Sequence, residues 1–232
     1  MIKYVILVLM SRRILSKLKQ YLTPLSLSLA GLMLLLVGFF KLARDVGEGE
    51  TLSIDQMVLE LINTTATDTL DNFFVALTVL GGELATAVLT IGVVAMLLAR
   101  KRAREAIIVG GTVAGAAASA YLLKLLFARP RPDLWQTLVD ETTYSFPSGH
   151  AIGSSALVLS LMVVAWPSRW RWPVTITSGV YMLGIGYSRL YLGVHYPTDI
   201  VASWLLSVVW LIFVYQVIGL AKRYRSVMTG SE

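Results

Sequence analysis

Residues 106–127, AIIVGGTVAGAAASAYLLKLLF, form an apolar run that a single charged side chain, Lys124, interrupts near its end. A helix needs about 20 residues to cross a hydrocarbon core about 30 Å thick, and this run is long enough. Backbone N–H and C=O groups must be paired inside lipid, so the run is expected to be helical. It therefore indicates a membrane-spanning helix with a basic side chain near its end.

The composition extends this conclusion to the whole chain. Hydrophobic residues make up 56% of the 232 residues, charged residues only 15%, and the mean hydropathy is +0.70, whereas soluble domains contain about 25% charged residues. We predict an all-α, polytopic membrane protein, a single domain over residues 1–232 built as a bundle of six membrane-spanning helices. The predicted spans are residues 21–40, 73–99, 106–127, 151–166, 172–187 and 200–220.

Lysine and arginine residues cluster in alternate gaps between these spans. Positively charged loops stay on the cytoplasmic side of a membrane, so these gaps and both termini are predicted to be cytoplasmic. The net charge of +6 and the isoelectric point near 9.6 follow from these loops, and no nucleic-acid partner is expected. The basic residues in these predicted cytoplasmic gaps are Lys3, Arg12, Arg13, Lys17, Lys19, Arg100, Lys101, Arg102, Arg104, Arg169, Arg171, Lys222, Arg223 and Arg225.

The remaining gaps hold most of the acidic residues and the chain's two histidines, His150 and His195. Both histidines are therefore predicted to lie at the non-cytoplasmic face. An imidazole with its ordinary pKa near 6.5 can act as nucleophile, acid or base at neutral pH. The chain has no cysteine, which excludes disulfides, thiolate nucleophiles and cysteine-based metal sites.

A first charged segment follows the third span. Lys124 stands near the end of the span, and Arg131 follows within the Ala-Arg-Pro-Arg-Pro stretch of residues 128–132. The two prolines keep this stretch extended and stiff. Lys124 alone would be typical of a side chain that reaches for lipid headgroups. The other cations around it favour a functional role instead.

A second segment, Ser-Phe-Pro-Ser-Gly-His at residues 145–150, leads directly into the fourth span. Ser148 can cap that helix, and Gly149 lets a ligand approach the backbone. The free N–H groups at a helix N-terminus bind anions. His150 would then lie in the first turn of the helix, beside the bound anion.

A third segment begins where Ser188 and Arg189 end the fifth span, and it continues to His195 and Asp199. Asp199 can accept a hydrogen bond from Nδ1 of His195, which would turn the other ring nitrogen toward a substrate and stabilise the cation formed on attack. A purely structural His–Asp pair is the alternative, and the neighbouring cations disfavour it.

Together the three segments resemble the signature of the type 2 phosphatidic acid phosphatase superfamily. Its Lys-x6-Arg-Pro part corresponds to residues 124–132, its Pro-Ser-Gly-His part to residues 147–150, and its Ser-Arg-x5-His-x3-Asp part to residues 188–199. No signature position departs from this pattern. Outside residues 124–199, only the layout of six spans is similar.

The resemblance implies a metal-independent lipid phosphatase that uses no cofactor. His195 would attack phosphorus, His150 would protonate the leaving oxygen, Asp199 would orient His195, and water would then cleave the phosphohistidine. Phosphoryl transfer depends mainly on alignment and on neutralising the phosphate oxygens, which cations can do. The phosphate-binding residues implied by the resemblance are Lys124, Arg131, Ser148, Gly149 and Arg189.

The substrate and the reaction class are less specified, because the motifs recognise only the phosphate. Phosphatidylglycerophosphate, undecaprenyl diphosphate, phosphatidic acid and its lyso form all fit, and the first two lead for an enzyme of a bacterial inner membrane with its site facing the periplasm. A phosphotransferase would use the same residues. A non-catalytic lipid-binding protein is disfavoured by the intact His150, His195 and Asp199. The sequence leaves the oligomeric state open.

Several features lie outside the signature. An N-terminal interfacial helix is predicted at residues 1–20 and a second surface helix at residues 52–63, as a brace or a substrate gate. Gly111 and Gly115 are predicted to pack inside the bundle, with self-association as the alternative. Glu83 is a carboxylate in an apolar span. Placing such a group in a membrane costs free energy, and it is typical of a functional residue. The sequence assigns Glu83 no partner.

Overall fold

The computed structural model describes the backbone of residues 26–229 and the side chains of residues 26–221. These residues form eight α-helices and no β-strand, which confirms the predicted all-α class. The helices are α1 (Ser26–Gly47), α2 (Leu52–Asn63), α3 (Asp68–Leu80), α4 (Glu83–Ala99), α5 (Ala103–Phe127), α6 (Gly149–Ala165), α7 (Arg171–Tyr191) and α8 (Pro197–Thr229). The interfacial helix predicted at residues 1–20 lies outside the described residues.

Three of these helices, α1, α5 and α8, are long and apolar enough to cross a membrane. Helices α3 and α4 meet the same test as a pair, bent by 44° at their junction. Helix α6 is apolar but has only 17 residues. The described residues thus contain three candidate spans, or four when the bent pair counts as one, and the count of six stays a prediction.

The bend between α3 and α4 falls at Gly81 and Gly82. A Cβ atom at Gly81 would lie 2.4 Å from Cγ2 of Ile185, so the missing side chain lets α7 pack directly against the junction. The bend breaks the second predicted span into two helices and brings Glu83 to the start of α4.

Helix α6 lies at the centre of the bundle and packs against α5, α7 and α8. Serines hold it against α8. Ser203 Oγ donates to the carbonyl oxygen of Ser148 at 3.1 Å, Ser207 Oγ donates to that of Ile152 at 3.2 Å, and the hydroxyls of Ser155 and Ser207 are 2.7 Å apart. Small side chains that share hydrogen bonds let two helices approach closely in lipid. These bonds set the start of α8 beside the start of α6.

Gly111 and Gly115 of α5 face α8, as predicted for a packing surface inside the bundle. A Cβ atom at Gly115 would lie 2.3 Å from the ring of Trp210, and one at Gly111 would lie 3.4 Å from Val214. Trp210 Nε1 also donates a hydrogen bond to Ser119 Oγ at 2.9 Å. The indole therefore fills the groove that Gly115 leaves open.

Helix α2 has the bounds that the sequence predicted for the second surface helix. Its buried residues are Asp55 and Leu59, one helical turn apart, while Ile54, Met57 and Leu61 are exposed. No partner for Asp55 was predicted from the sequence. The side chain of Asp55 points into the protein, where the guanidinium of Arg129 and the hydroxyl of Thr198 compensate its burial.

We predict that Gly115→Ala lowers the free energy of unfolding by about 1–3 kcal/mol, because overpacking a helix interface against a rigid ring is destabilising. A matched control is Gly92→Ala in the middle of α4, where an added Cβ atom meets nothing within 4 Å. Thermal unfolding in detergent should give a lower midpoint for the first variant only. Equal midpoints would contradict the packing described here.

Candidate active site

The site lies where four helix ends meet. Helices α5 and α7 end there, α6 and α8 begin there, and the loop of residues 128–148 crosses over them. Hydrogen bonds join this loop to the turn before α8, as between Arg131 Nη1 and the carbonyl oxygen of Val194 at 2.7 Å. All three predicted segments therefore contribute to one place.

His195 and Asp199 form a buried pair at the start of α8. His195 Nδ1 lies 3.3 Å from Asp199 Oδ2. The same oxygen accepts hydrogen bonds from the backbone N–H of Tyr196 at 2.9 Å and from Ser145 Oγ at 2.5 Å. Because a carboxylate only accepts, Nδ1 carries the ring proton and Nε2 presents its lone pair. Nε2 lies 3.2 Å from Arg131 Nη1.

Arg131 and Arg189 hold a protein carboxylate between them. Arg131 Nη2 donates to Glu141 Oε2 at 3.3 Å, and Arg189 Nη2 donates to Glu141 Oε1. Burial alone raises the pKa of Glu141, but attraction to Arg189 and Arg131 outweighs it, so the pKa lies below its ordinary value. The two guanidinium groups thus form an anion-binding site beside Nε2 of His195.

Arg189 is the most enclosed of the cations, with 1% of its surface exposed. Its Nη1 donates to Thr78 Oγ1 of α3 at 2.7 Å. Its Nε is buried and has no hydrogen-bond partner within the described part of the chain. One donor of the guanidinium is therefore left for a ligand.

Lys124 reaches the same loop from the last turn of α5. Its Nζ donates to Thr143 Oγ1 at 3.3 Å and to the carbonyl oxygen of Tyr144. Arg131 donates to the carbonyl oxygen of Thr143 at 2.7 Å and to its hydroxyl at 3.2 Å. Two predicted phosphate-binding cations are thus anchored on one short backbone segment.

Ser148 caps α6, as the sequence predicted. Its hydroxyl accepts from the backbone N–H of Ala151 at 3.4 Å, and its own N–H donates to Ser203 Oγ at 3.0 Å. The side chain is fully buried. In this arrangement the Ser148 hydroxyl is used as the N-terminal cap of α6.

Gly149 and His150 form the first turn of α6. A Cβ atom at Gly149 would lie 2.7 Å from Oε1 of Glu83, so Glu83 stands against the helix start, where a carboxylate interacts favourably with the helix dipole. The side chain of His150 is half-buried and makes no hydrogen bond to the described residues. Glu141 interacts electrostatically with both His150 and His195, so both rings lie within electrostatic range of one carboxylate.

Burial is the main reason that the pKa of His195 is lowered to about 3. Arg189 and Arg131 repel the charged ring and act in the same direction, while Asp199 acts in the opposite one. A group with a lowered pKa loses its proton at lower pH, so the ring is neutral at every pH well above 3. The neutral ring is the form that can act as a nucleophile.

Sequence reasoning missed several residues that contact the predicted ones. Arg129 lies two positions before Arg131 and was assigned no role, although a second arginine directly before a proline is a signal of its own. Asp55 shares a helix face with Leu59, which indicates burial. The loop residues had no such signal, because only folding places them beside the cations. The missed residues are Asp55, Arg129, Glu141, Thr143 and Ser145.

Comparison with known proteins agrees with this constellation. Residues 105–223 match the model of the PAP2 superfamily. The chain belongs to the PAP2 superfamily. This confirms the predicted family, and with it the predicted class of enzyme, a phosphatase.

Two relatives illustrate the range of the superfamily. The chain is 31% identical to an undecaprenyl-diphosphatase of Sulfolobus acidocaldarius, over 76% of this chain and 82% of that protein. It is 34% identical to phosphatidylglycerophosphatase B of Bacillus subtilis over 45% of this chain, which spans 53% of that protein. The similarity is thus broadest to the diphosphatase of these two.

A solved structure shares the fold. The crystal structure of a transmembrane PAP2-type phosphatidylglycerolphosphate phosphatase from Bacillus subtilis superposes with a TM-score of 0.74 at 25% identity. The match covers 83% of this chain and 98% of that one. Together with the apolar helices, it identifies this PAP2 protein as an integral membrane protein.

We predict that His195 stays neutral at pH 5, because its lowered pKa of about 3 lies below that pH. Protein labelled with ¹⁵N-histidine in detergent should show a neutral ring protonated at Nδ1 between pH 5 and pH 8. The two histidines are distinguished by comparing the spectrum with that of His150→Gln. A doubly protonated His195 at pH 6 would contradict the buried environment described here.

We predict that Glu141→Gln binds orthovanadate about tenfold more tightly, equivalent to about 1.4 kcal/mol. The amide no longer competes as an anion for Arg131 and Arg189. Isothermal titration of the detergent-solubilised protein measures the dissociation constant. Glu60→Gln, at an exposed position of α2, is the control and should bind as the wild type does. Weaker or unchanged binding by Glu141→Gln would show that no competition exists.

Proposed function

We propose that this PAP2 protein hydrolyses the terminal phosphate of a membrane lipid through a phosphohistidine formed on His195. The observation that carries the proposal is a carboxylate, Glu141, seated between Arg131 and Arg189. A phosphate monoester dianion carries more charge and more acceptor oxygens than a carboxylate, so it competes well for the same donors. The nucleophilic nitrogen lies beside this position, 3.2 Å from Arg131 Nη1.

The residues divide the reaction into two steps. In the first, the lone pair of His195 Nε2 forms a bond to phosphorus, the phosphorus–oxygen bond to the lipid breaks, and the leaving oxygen takes a proton from His150. In the second, the oxygen of a water molecule forms a bond to phosphorus, the bond between phosphorus and His195 Nε2 breaks, and His150 takes a proton from the water. Inorganic phosphate is then released. The cations Lys124, Arg131 and Arg189 neutralise the equatorial oxygens, the main requirement of phosphoryl transfer.

Asp199 supports both steps from behind the ring. When Nε2 is phosphorylated, the imidazole still carries its Nδ1 proton and becomes a cation. Asp199 Oδ2, 3.3 Å from Nδ1, then faces a positive charge instead of a neutral ring. This attraction is stronger in the phosphoenzyme than in the resting state, which is the condition for catalysis.

The remaining predictions are part of the same proposal. The protein is a single domain over residues 1–232 with six membrane spans, counting α6 and α7 among them, in a bacterial inner membrane. Both termini are cytoplasmic and the site faces the periplasm, as the alternate basic loops indicate. The phosphate then binds near the lipid headgroups, and the hydrophobic chain stays in the bilayer.

The substrate proposal follows from the relatives. One is named for undecaprenyl diphosphate and another for phosphatidylglycerophosphate, and both lipids end in a phosphate with no further substituent. The arginines and the histidine pair contact only that terminal group. We therefore propose these two lipids as the leading substrates and expect phosphatidic acid and its lyso form to be accepted as well.

The test is phosphate release by purified protein in detergent, with a panel of these lipids and excess chelator. Wild type should release inorganic phosphate, and His195→Ala should lose activity by a factor of about 10⁴ or more, because the nucleophile is gone. His150→Ala should form the phosphoenzyme slowly in rapid-quench labelling. Release that requires added magnesium, or that survives His195→Ala, would reject the mechanism. Label found in a second lipid or sugar would indicate a phosphotransferase.

A further inference from the structure

A second cluster of charges lies directly behind the His195–Asp199 pair, on the side away from the phosphate site. Its centre is Arg129, a residue with 8% of its surface exposed. Arg129 Nη1 donates to Asp199 Oδ1 at 2.6 Å, and Nη2 donates to Asp55 Oδ2 of α2 at 2.8 Å. The guanidinium also stacks on the ring of Tyr196, with 4.0 Å between Cζ and the ring centroid. Arg129 is no part of the family signature described above.

We infer that Arg129, held in place by Asp55, is a positioning residue that orients Asp199 and through it the nucleophile His195. The inference rests on the proposed function, because it assigns a role relative to His195 as nucleophile. Three observations carry it.

The first observation is that the two carboxylate oxygens of Asp199 accept hydrogen bonds from different donors. Oδ2 accepts from Ser145, from the Tyr196 backbone and from the histidine ring, while Oδ1 accepts from Arg129. A carboxylate held at both oxygens cannot rotate about its Cβ–Cγ bond without losing hydrogen bonds. Arg129 therefore fixes the plane in which Asp199 meets Nδ1 of His195.

The second observation is the charge balance. The neutral ring of His195 supplies no positive charge to Asp199, which is fully buried. Arg129 is the cation in contact with that carboxylate, and a buried charge without such a partner is strongly unfavourable.

The third observation is that Asp55 fixes Arg129 and the start of α8 together. Asp55 Oδ1 accepts from the backbone N–H of Thr198 at 3.1 Å, and Oδ2 accepts from the Thr198 hydroxyl at 2.6 Å. That hydroxyl accepts in turn from Arg129 Nη1 at 2.9 Å. Asp55 thus acts as an N-terminal cap of α8 supplied by a different helix. The chain of contacts runs from α2 through Arg129 to the nucleophile.

An arginine is required in this role. A guanidinium presents several N–H donors in a rigid plane, so it bridges two carboxylates, while a lysine ammonium acts as a single point charge. Arg129→Lys keeps the charge but loses the bridge. The two variants Arg129→Lys and Asp55→Asn therefore separate orientation from simple neutralisation.

The experiment compares Arg129→Lys, Asp55→Asn and the double variant with wild type in the phosphate-release assay. We expect kcat to fall about 10- to 100-fold in each single variant. This is the range found when residues that orient the ligands of a metal ion are replaced. KM and the dissociation constant for orthovanadate should change less than about threefold, because the phosphate-binding cations are untouched. The double variant should lose little more than the worse single variant, because both act through one chain of contacts.

Two control variants accompany this experiment, one outside the site and one in the phosphate-binding part of it. Arg44→Met removes an exposed arginine of α1 and should leave kcat and KM unchanged. Arg131→Lys alters the phosphate site itself and should raise KM and the orthovanadate dissociation constant. Size-exclusion chromatography and thermal unfolding establish which variants are folded. If Arg129→Lys does not fold, Asp55→Asn, which replaces the carboxylate with an amide of the same shape, carries the test.

A measurement without substrate distinguishes this inference from the proposed function. In ¹⁵N-histidine spectra, wild-type His195 should be protonated at Nδ1 alone, and the variants should show a mixture of Nδ1 and Nε2 tautomers. Absence of phosphate release by wild type would reject the proposed function and leave this readout intact. Folded variants with kcat within about twofold of wild type and an unchanged tautomer would overturn the positioning role.

Discussion

Buried charges at the end of the helix bundle must be paired, and the architecture of the site depends on this constraint. Asp199, Arg189 and Asp55 are almost completely buried, in a medium where an unpaired charge is strongly unfavourable. Each is therefore bound to a partner from a distant part of the chain. Arg129 links Asp55 to Asp199, and Glu141 links Arg131 to Arg189. The same pairings that make burial tolerable also hold the proposed catalytic groups in position.

The two halves of this charge network have different roles. The half around Glu141 lies beside Nε2 of His195. In the proposed function, an anionic substrate replaces the Glu141 carboxylate between Arg131 and Arg189. The half around Arg129 lies behind the nucleophile and is closed, since the Arg129 donors that reach Asp55 and Asp199 are all used. His195 stands between an exchangeable anion site and a fixed scaffold. This arrangement suits phosphoryl transfer, which needs a preorganised nucleophile and donors already aimed at the phosphate.

Much of the fold and the site could be predicted from particular residues. The apolar runs predicted the helical membrane architecture, and the bounds of α2 agree with the predicted surface helix. The Gly111–Gly115 face packs inside the bundle, as its small residues indicated. Other features could not be predicted from the order of residues along the chain. Gly81 and Gly82 break one predicted span into α3 and α4, because the close approach of Ile185 is a property of the assembled bundle. The partners of Asp55 were not predicted for the same reason, since they lie in α8 and in the loop before α6.

The sequence by itself determined the helical class, the membrane location and the signature residues, because hydrophobic length and short motifs are local properties of the chain. Only the tertiary structure decided which charges meet. It brought Glu141 to the arginines, set Arg129 behind Asp199, and turned Asp55 inward. The physical reason is that electrostatic pairing depends on distance in space, and residues far apart in the sequence acquire that proximity only when the helices pack.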